Sequence, residues 1–163
     1  MPFAFTHLVT AWFVGLIIQT KKKLNKLSWG LLLLGSILPD GDYIFQWIFN
    51  VQIHRSISHS LLFLIISYLI LYFILKNYKK EKYAIYLTIG VTTHLFLDLF
   101  IYPGIMLLWP LQYWISIFGV SLTPSVKEIS VTYLTRFSGL AIMDMILGVA
   151  WLAYLFIKGK LKF

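Results

Sequence analysis

Gly30-Leu31-Leu32-Leu33-Leu34-Gly35-Ser36-Ile37-Leu38-Pro39-Asp40-Gly41-Asp42-Tyr43 carries two contradictory signals. Its first nine residues are apolar or small, as in a helix crossing hydrocarbon, and the same run (Trp29–Asn50) then holds a proline, a glycine and two carboxylates. Pro39 cannot donate to a helical ladder and clashes with the turn before it, so the helix should break there. A broken helix at membrane depth is tolerated where it lines a cavity. Two carboxylates two residues apart in a non-helical stretch can both aim at one cation, whereas capping of a second half-helix would use only one of them.

The rest of the chain supports a bilayer setting. Of its 163 residues 60% are hydrophobic and 12% charged, well above the ~45–50% apolar content of a soluble domain. Five windows are long and apolar enough to cross, namely Phe3–Gln19, Trp29–Asn50, Ile57–Leu75, Tyr83–Tyr102 and Phe137–Ile157. The expected fold is therefore an all-α polytopic membrane helix bundle of about five transmembrane helices, the second broken, forming a single membrane-embedded domain over residues 1–163. Pro103–Trp114, with two prolines and a glycine, is too interrupted to span and is expected to lie along the interface or re-enter after the fourth helix.

The net charge of +8 would suggest nucleic acid in a soluble protein, but its distribution excludes that reading. Eleven of the 14 basic residues fall in three short segments, Lys21 to Lys26, Lys76 to Lys82 and Lys158 to Lys162. These lie where alternate span ends meet one membrane face, which the positive-inside rule makes cytoplasmic. Only Arg55, Lys127 and Arg136 fall on the other side, so the N-terminus is expected outside and the C-terminus in the cytoplasm of an inner or plasma membrane. The chain begins without the basic segment of a signal peptide, as suits an uncleaved first span.

With no cysteine, any site must be built from His, carboxylates and hydroxyls. All four His and all four Asp lie in or beside predicted spans. By a rise of about 1.5 Å per residue, His7, Asp40, Asp42, His59, His94, Asp98 and Asp144 fall in the outer leaflet, an orientation derived without using them. His94 and Asp98, at i and i+4, share a helical face, where both can bind one metal or one can orient the other. His54 belongs to the loop before the third span and His59 to its first turns, with Arg55 four residues from His59. Asp144 is a lone acid that a neighbouring hydroxyl could satisfy, and it is the weakest candidate.

One or two divalent ions would satisfy this set. Candidate ligands are His7, Asp40, Asp42, His54, His59, His94 and Asp98, with Asp144 outside the main group. Nitrogen and oxygen donors without sulfur suit zinc first, with manganese or iron next. Such an ion activates water near neutral pH, which points to a metal-dependent hydrolase with Arg55, His59 and Asp98 as catalytic residues. Arg55 would hold a phosphate or a developing anion. A site just below the headgroups favours a lipid-linked phosphoester or ester as substrate, with membrane lipid rather than nucleic acid as partner. Ser60 beside His59 points elsewhere on a helix and is rejected as a nucleophile, and no H-E-x-x-H stretch supports a metalloprotease. The alternatives are a metal-ion or proton-coupled carrier, against which stand the absent repeat and the lack of acids in the inner halves of the spans, or a regulatory membrane protein with a structural metal.

The blocks Thr6-His7, Leu38 to Asp42, His54-Arg55-Ser56-Ile57-Ser58-His59-Ser60-Leu61-Leu62, and His94 to Asp98 followed by Pro103-Gly104 and Leu108-Trp109-Pro110 resemble, in order, the YdjM-like family of inner-membrane proteins. The resemblance covers residues 5 to 110, with a weaker echo at Ser138 and Asp144. It implies a membrane hydrolase with a metal site. The chain departs from the pattern at Tyr43, where relatives commonly place a His.

Overall fold

A computed structural model of the chain describes residues 4–51, 54–101, 104–121 and 131–159. Lys127, Lys160, Lys162 and Pro103 lie outside the described residues, and the side chains of Arg136 and Ser138 are not described. Six α-helices dominate: α1 (Ala4–Gln19), α2 (Lys26–Ile37), α3 (Asp42–Phe49), α4 (Leu61–Lys76), α5 (Ala84–Asp98) and α6 (Val131–Ile157). Among the described residues one helical stretch, Gly139–Ile157, is by itself long and apolar enough to cross a membrane; α1, α2 and α4 are shorter apolar helices.

The break in the second apolar run is a single 3₁₀ turn, Pro39–Gly41, between α2 and α3. The backbone stays in the right-handed region, with Gly41 at φ −59° and ψ −16°, and a Cβ added at Gly41 would meet nothing. Proline therefore causes the break, and glycine is not needed for it. The expected non-helical stretch is corrected to this tightened turn.

The core is the crossing of α2 on α5. Leu31, Leu32, Tyr86, Leu87, Val91 and Leu95 are buried there, at spacings that put one stripe of each helix inward. Gly35 and Gly90 bring the two backbones into contact. A Cβ at Gly90 would lie 2.8 Å from Ser36 N and 2.9 Å from Gly35 C, as close as backbones can approach. Around this pair α4 and α6 turn apolar faces outward: Ile65, Leu69, Ile70 and Phe73 on one, and Ile142, Met145, Ile146 and Val149 on the other, are exposed.

The expectation of an all-α chain is amended after α5. Ile105 is fully buried and forms a two-way backbone bridge with Ile115, and Trp114–Ser116 (β1) pairs antiparallel with Gly119–Ser121 (β2). Gly104, at φ +94°, makes the turn into this segment, and a side chain there would strike the Ile115 carbonyl. Met106 N–H then donates to Arg55 O (3.0 Å) and Leu61 N–H to Leu107 O (2.9 Å), so the segment is sewn to the chain between α3 and α4.

Candidate metal centre

Antiparallel packing collects chemistry at one end of the bundle. His7 is in the first turns of α1, Asp40 follows α2, His59 ends the 3₁₀ turn Ile57–His59 before α4, and His94 and Asp98 occupy the last turns of α5. The Lys21 to Lys26 and Lys76 to Lys82 segments cap the opposite helix ends.

His94 is oriented by the backbone. Ser36 lies in the last turn of α2, whose final carbonyls lack helical partners, and its oxygen takes the His94 Nδ1 proton at 2.7 Å. That bond directs His94 Nε2 inward as a lone-pair donor. His59 is oriented likewise: Nδ1 lies 2.9 Å from Ser58 Oγ, and the Ser58 hydroxyl in turn donates to Asp42. Its Nε2 therefore also faces inward. Asp42 Oδ1 accepts from His54 Nδ1 at 2.8 Å, with the His54 ring stacked on Tyr43.

The inward atoms converge. His59 Nε2 and His94 Nε2 are 3.1 Å apart; Asp40 Oδ1 is 3.5 and 3.6 Å from them, and Asp98 Oδ2 3.3 and 3.8 Å. His7 Nε2 reaches to 3.6 Å from Asp98 Oδ1, and its ring stacks on His94 at 3.8 Å. Most of these separations are long for hydrogen bonds. Donors held about 2.0–2.1 Å from a tetrahedral zinc stand about 3.3–3.4 Å apart, so the spacings fit the edges of a coordination shell. Unpaired atoms agree: both ring nitrogens of His7, 1% exposed, and Nε2 of His54 are buried without hydrogen-bond partners. Two triads, His7–His94–Asp98 and Asp40–His54–His59, each bring their donor atoms within 4.8 Å of one another and could hold a metal ion.

Two candidates have other surroundings. Asp42 lies on the Nδ1 side of His59 and His54, where it orients ligands rather than facing the centre. Asp144 stands apart from both triads. Its carboxylate accepts from Phe5 N (3.2 Å), Thr6 N (2.7 Å) and Thr6 Oγ1 (2.5 Å), closing the open N-terminus of α1 from α6. Asp144→Ala should therefore lower stability by about 2 kcal/mol, the scale of charged hydrogen bonds, in a thermal melt. Metal content of the folded variant, read by elemental analysis, should equal wild type; a proportionate loss would make Asp144 a ligand.

Arg55 does not share a helical face with His59, because α4 begins only at Leu61 after the Ser60 cap and Arg55 sits in a turn at φ +64°. It is 7% exposed, and its Nε and Nη2 have no hydrogen-bond partner. Sequence reasoning misses the Ser36 carbonyl, a backbone atom, whose only trace is the pair of small residues Gly35 and Ser36.

Fold and site together define an α-helical protein whose buried imidazoles and carboxylates are suited to a divalent cation. The model of the YdjM inner membrane protein family matches residues 1–161, and the chain belongs to that family. No curated protein and no solved structure matches the chain.

Proposed function

We propose that the chain is a membrane-embedded metal-dependent hydrolase that cleaves a lipid-linked phosphoester or ester near the outer face of the inner membrane. In this reading it crosses five times, through α1, α2 with α3, α4, α5 and α6, with the N-terminus outside and the lysine end in the cytoplasm. The outward apolar faces of α4 and α6 and the separation of lysines from the His/Asp end support that placement.

The observation that carries the proposal is the pair of inward Nε2 atoms of His59 and His94, 3.1 Å apart, flanked by Asp40 and Asp98 with their outer nitrogens already engaged. His7, Asp40, His54, His59, His94 and Asp98 would hold one or two ions, zinc first and manganese or iron next. A divalent ion there supplies Lewis acidity and an activated water near neutral pH. Asp42, through Ser58 and His54, balances charge on the imidazoles. Asp40 and His54, with side chains 21% and 12% exposed, mark the accessible edge, and His7, His94 and Asp98 the dry floor. Arg55, next to His54 in the chain and buried with Nε and Nη2 unpaired, binds the phosphoryl or carboxyl oxygen that gains charge.

Protein purified in detergent is expected to lose turnover of a lipid phosphoester on chelation and regain it with zinc or manganese. One or two ions per chain without turnover, across phosphomonoester, phosphodiester and carboxyl-ester lipids, would count for a structural metal instead.

A further inference from the structure

A charge bias that sets topology needs lysines on one side, but it does not need them to converge. At the end of the bundle opposite the His/Asp centre, three of them do. The connection from α1 to α2 and the one from α4 to α5 meet at a cavity of about 240 Å³ lined by Lys22, Lys23, Ser28, Lys82, Tyr83 and Tyr86. Asn25, also in the lining, joins the two connections by donating from its side-chain amide to the Tyr83 hydroxyl at 2.9 Å.

The lining is rich in donors and short of acceptors. Asn25 Oδ1 is already used twice, by Ser28 N at 2.8 Å and Ser28 Oγ at 2.9 Å. Tyr83 accepts from Asn25 and so keeps its own proton to give. Lysine ammonium groups donate only, and among the described residues none of these three pairs with a carboxylate. Glu81, the acid beside Lys82 in the chain, is outside the lining. Tyr86 supplies an independent sign. It is 5% exposed, and its hydroxyl makes no hydrogen bond among the described residues. The oxygen is nevertheless not sealed from water as the unpartnered nitrogens of His7 are, so a group in the cavity can reach it.

We infer that this cavity binds an anion bearing a phosphate group, with the Tyr83 and Tyr86 hydroxyls and the ammonium groups of Lys22, Lys23 and Lys82 as donors. Converging cations and hydroxyls with no free carboxylate suit a multiply charged oxyanion. A volume below the ~300–1,000 Å³ of ordinary small-molecule sites limits the bound part to the size of a headgroup. The phosphate belongs either to an anionic lipid or to a soluble ion, and the same donors serve both. No metal ligand and no step of hydrolysis takes part, so failure of the proposed function leaves the site standing.

Two probes on the whole protein in detergent test it: equilibrium dialysis with radiolabelled inorganic phosphate, and native mass spectrometry with equimolar phosphatidic acid and phosphatidylcholine. Saturable binding of inorganic phosphate assigns the site to a soluble anion, and preferential retention of phosphatidic acid alone assigns it to a lipid; either supports the site. Tyr86→Phe, which removes one donor and keeps the ring, should weaken binding of that probe about tenfold. Lys22→Gln and Lys82→Gln should each weaken it about fivefold. Both lysines are exposed, so these variants read the site even where Tyr86→Phe fails to fold. Lys76→Gln, at the same end but outside the lining, should change nothing. Binding of neither probe, wild-type affinity in folded Tyr86→Phe, or an effect of Lys76→Gln as large as that of Lys82→Gln would each overturn the site.

Discussion

His94→Ala is expected to reduce bound divalent metal from roughly one or two ions per chain to a small fraction of that, and turnover with it, by more than ~100-fold. The size follows from position. His94 Nε2 is within 3.8 Å of donor atoms of Asp40, His59 and Asp98, so its loss removes one ligand of its own triad and the neighbour of two residues of the other. Removing a mere orienting partner of a ligand already costs about 10–100-fold in affinity, and a central ligand should cost more. Alanine also leaves the Ser36 carbonyl without its donor and His7 without its stacking partner. Elemental analysis beside a circular-dichroism spectrum separates loss of metal from loss of fold. Asp98→Asn supplies the gentler comparison, nearly isosteric and without the charge. A folded His94→Ala protein that retains full metal content and activity would sink the proposed centre.

Arg55→Ala is expected to separate binding of metal from chemistry, keeping the ion content and losing turnover by about 10²–10³-fold, the range for one preorganised donor to a developing oxyanion. Nε and Nη2 of Arg55 are buried and have no partner, while the backbone carbonyl of the same residue is fixed by Met106 N–H. The main chain is thus held in place and the side chain is left with free donors. Arg55→Lys keeps the charge but not the planar fork, and should restore only part of the rate on a phosphoester. Should Arg55→Ala instead hydrolyse the substrate at the wild-type rate, the guanidinium is a packing element and substrate recognition lies elsewhere.

Much of the fold and the centre is legible in the amino-acid sequence, and what is not has physical reasons. Lysines and the His/Asp set segregate along the chain with the period of the helices, which places them at opposite ends. His94 and Asp98 at i and i+4 fall on one face of α5 as helical geometry requires. Asp40 and Asp42 look equivalent in sequence, since a non-helical stretch would let both turn to one cation. From the 3₁₀ turn that Pro39 starts into the first residue of α3, two residues turn the chain by roughly 200–240° around the axis, so one carboxylate faces the centre and the other turns to Ser58 and His54. Asp144 takes a hydroxyl partner, Thr6, as its sequence setting suggests, while its other two partners are backbone N–H groups of α1, which carry no signature in sequence. The β1–β2 hairpin is hidden for a similar reason: Trp114 to Ser121 is almost uniformly apolar or small, and lacks the alternation that marks a half-buried strand.

The Gly35–Gly90 crossing has a mechanical consequence. With no side chains between them, the α2 and α5 backbones have no compliant layer, and sliding one past the other would drive carbonyls into Cα atoms. This pair is the stator of the molecule, and it carries Ser36, His94 and Asp98 as a rigid unit. Any displacement that opens the His/Asp centre must therefore be taken up by the parts laid over that unit. These are the stretch from His54 to Leu61, held through Arg55 O and Leu61 N–H, and the Met106–Leu107 segment that supplies their two backbone partners.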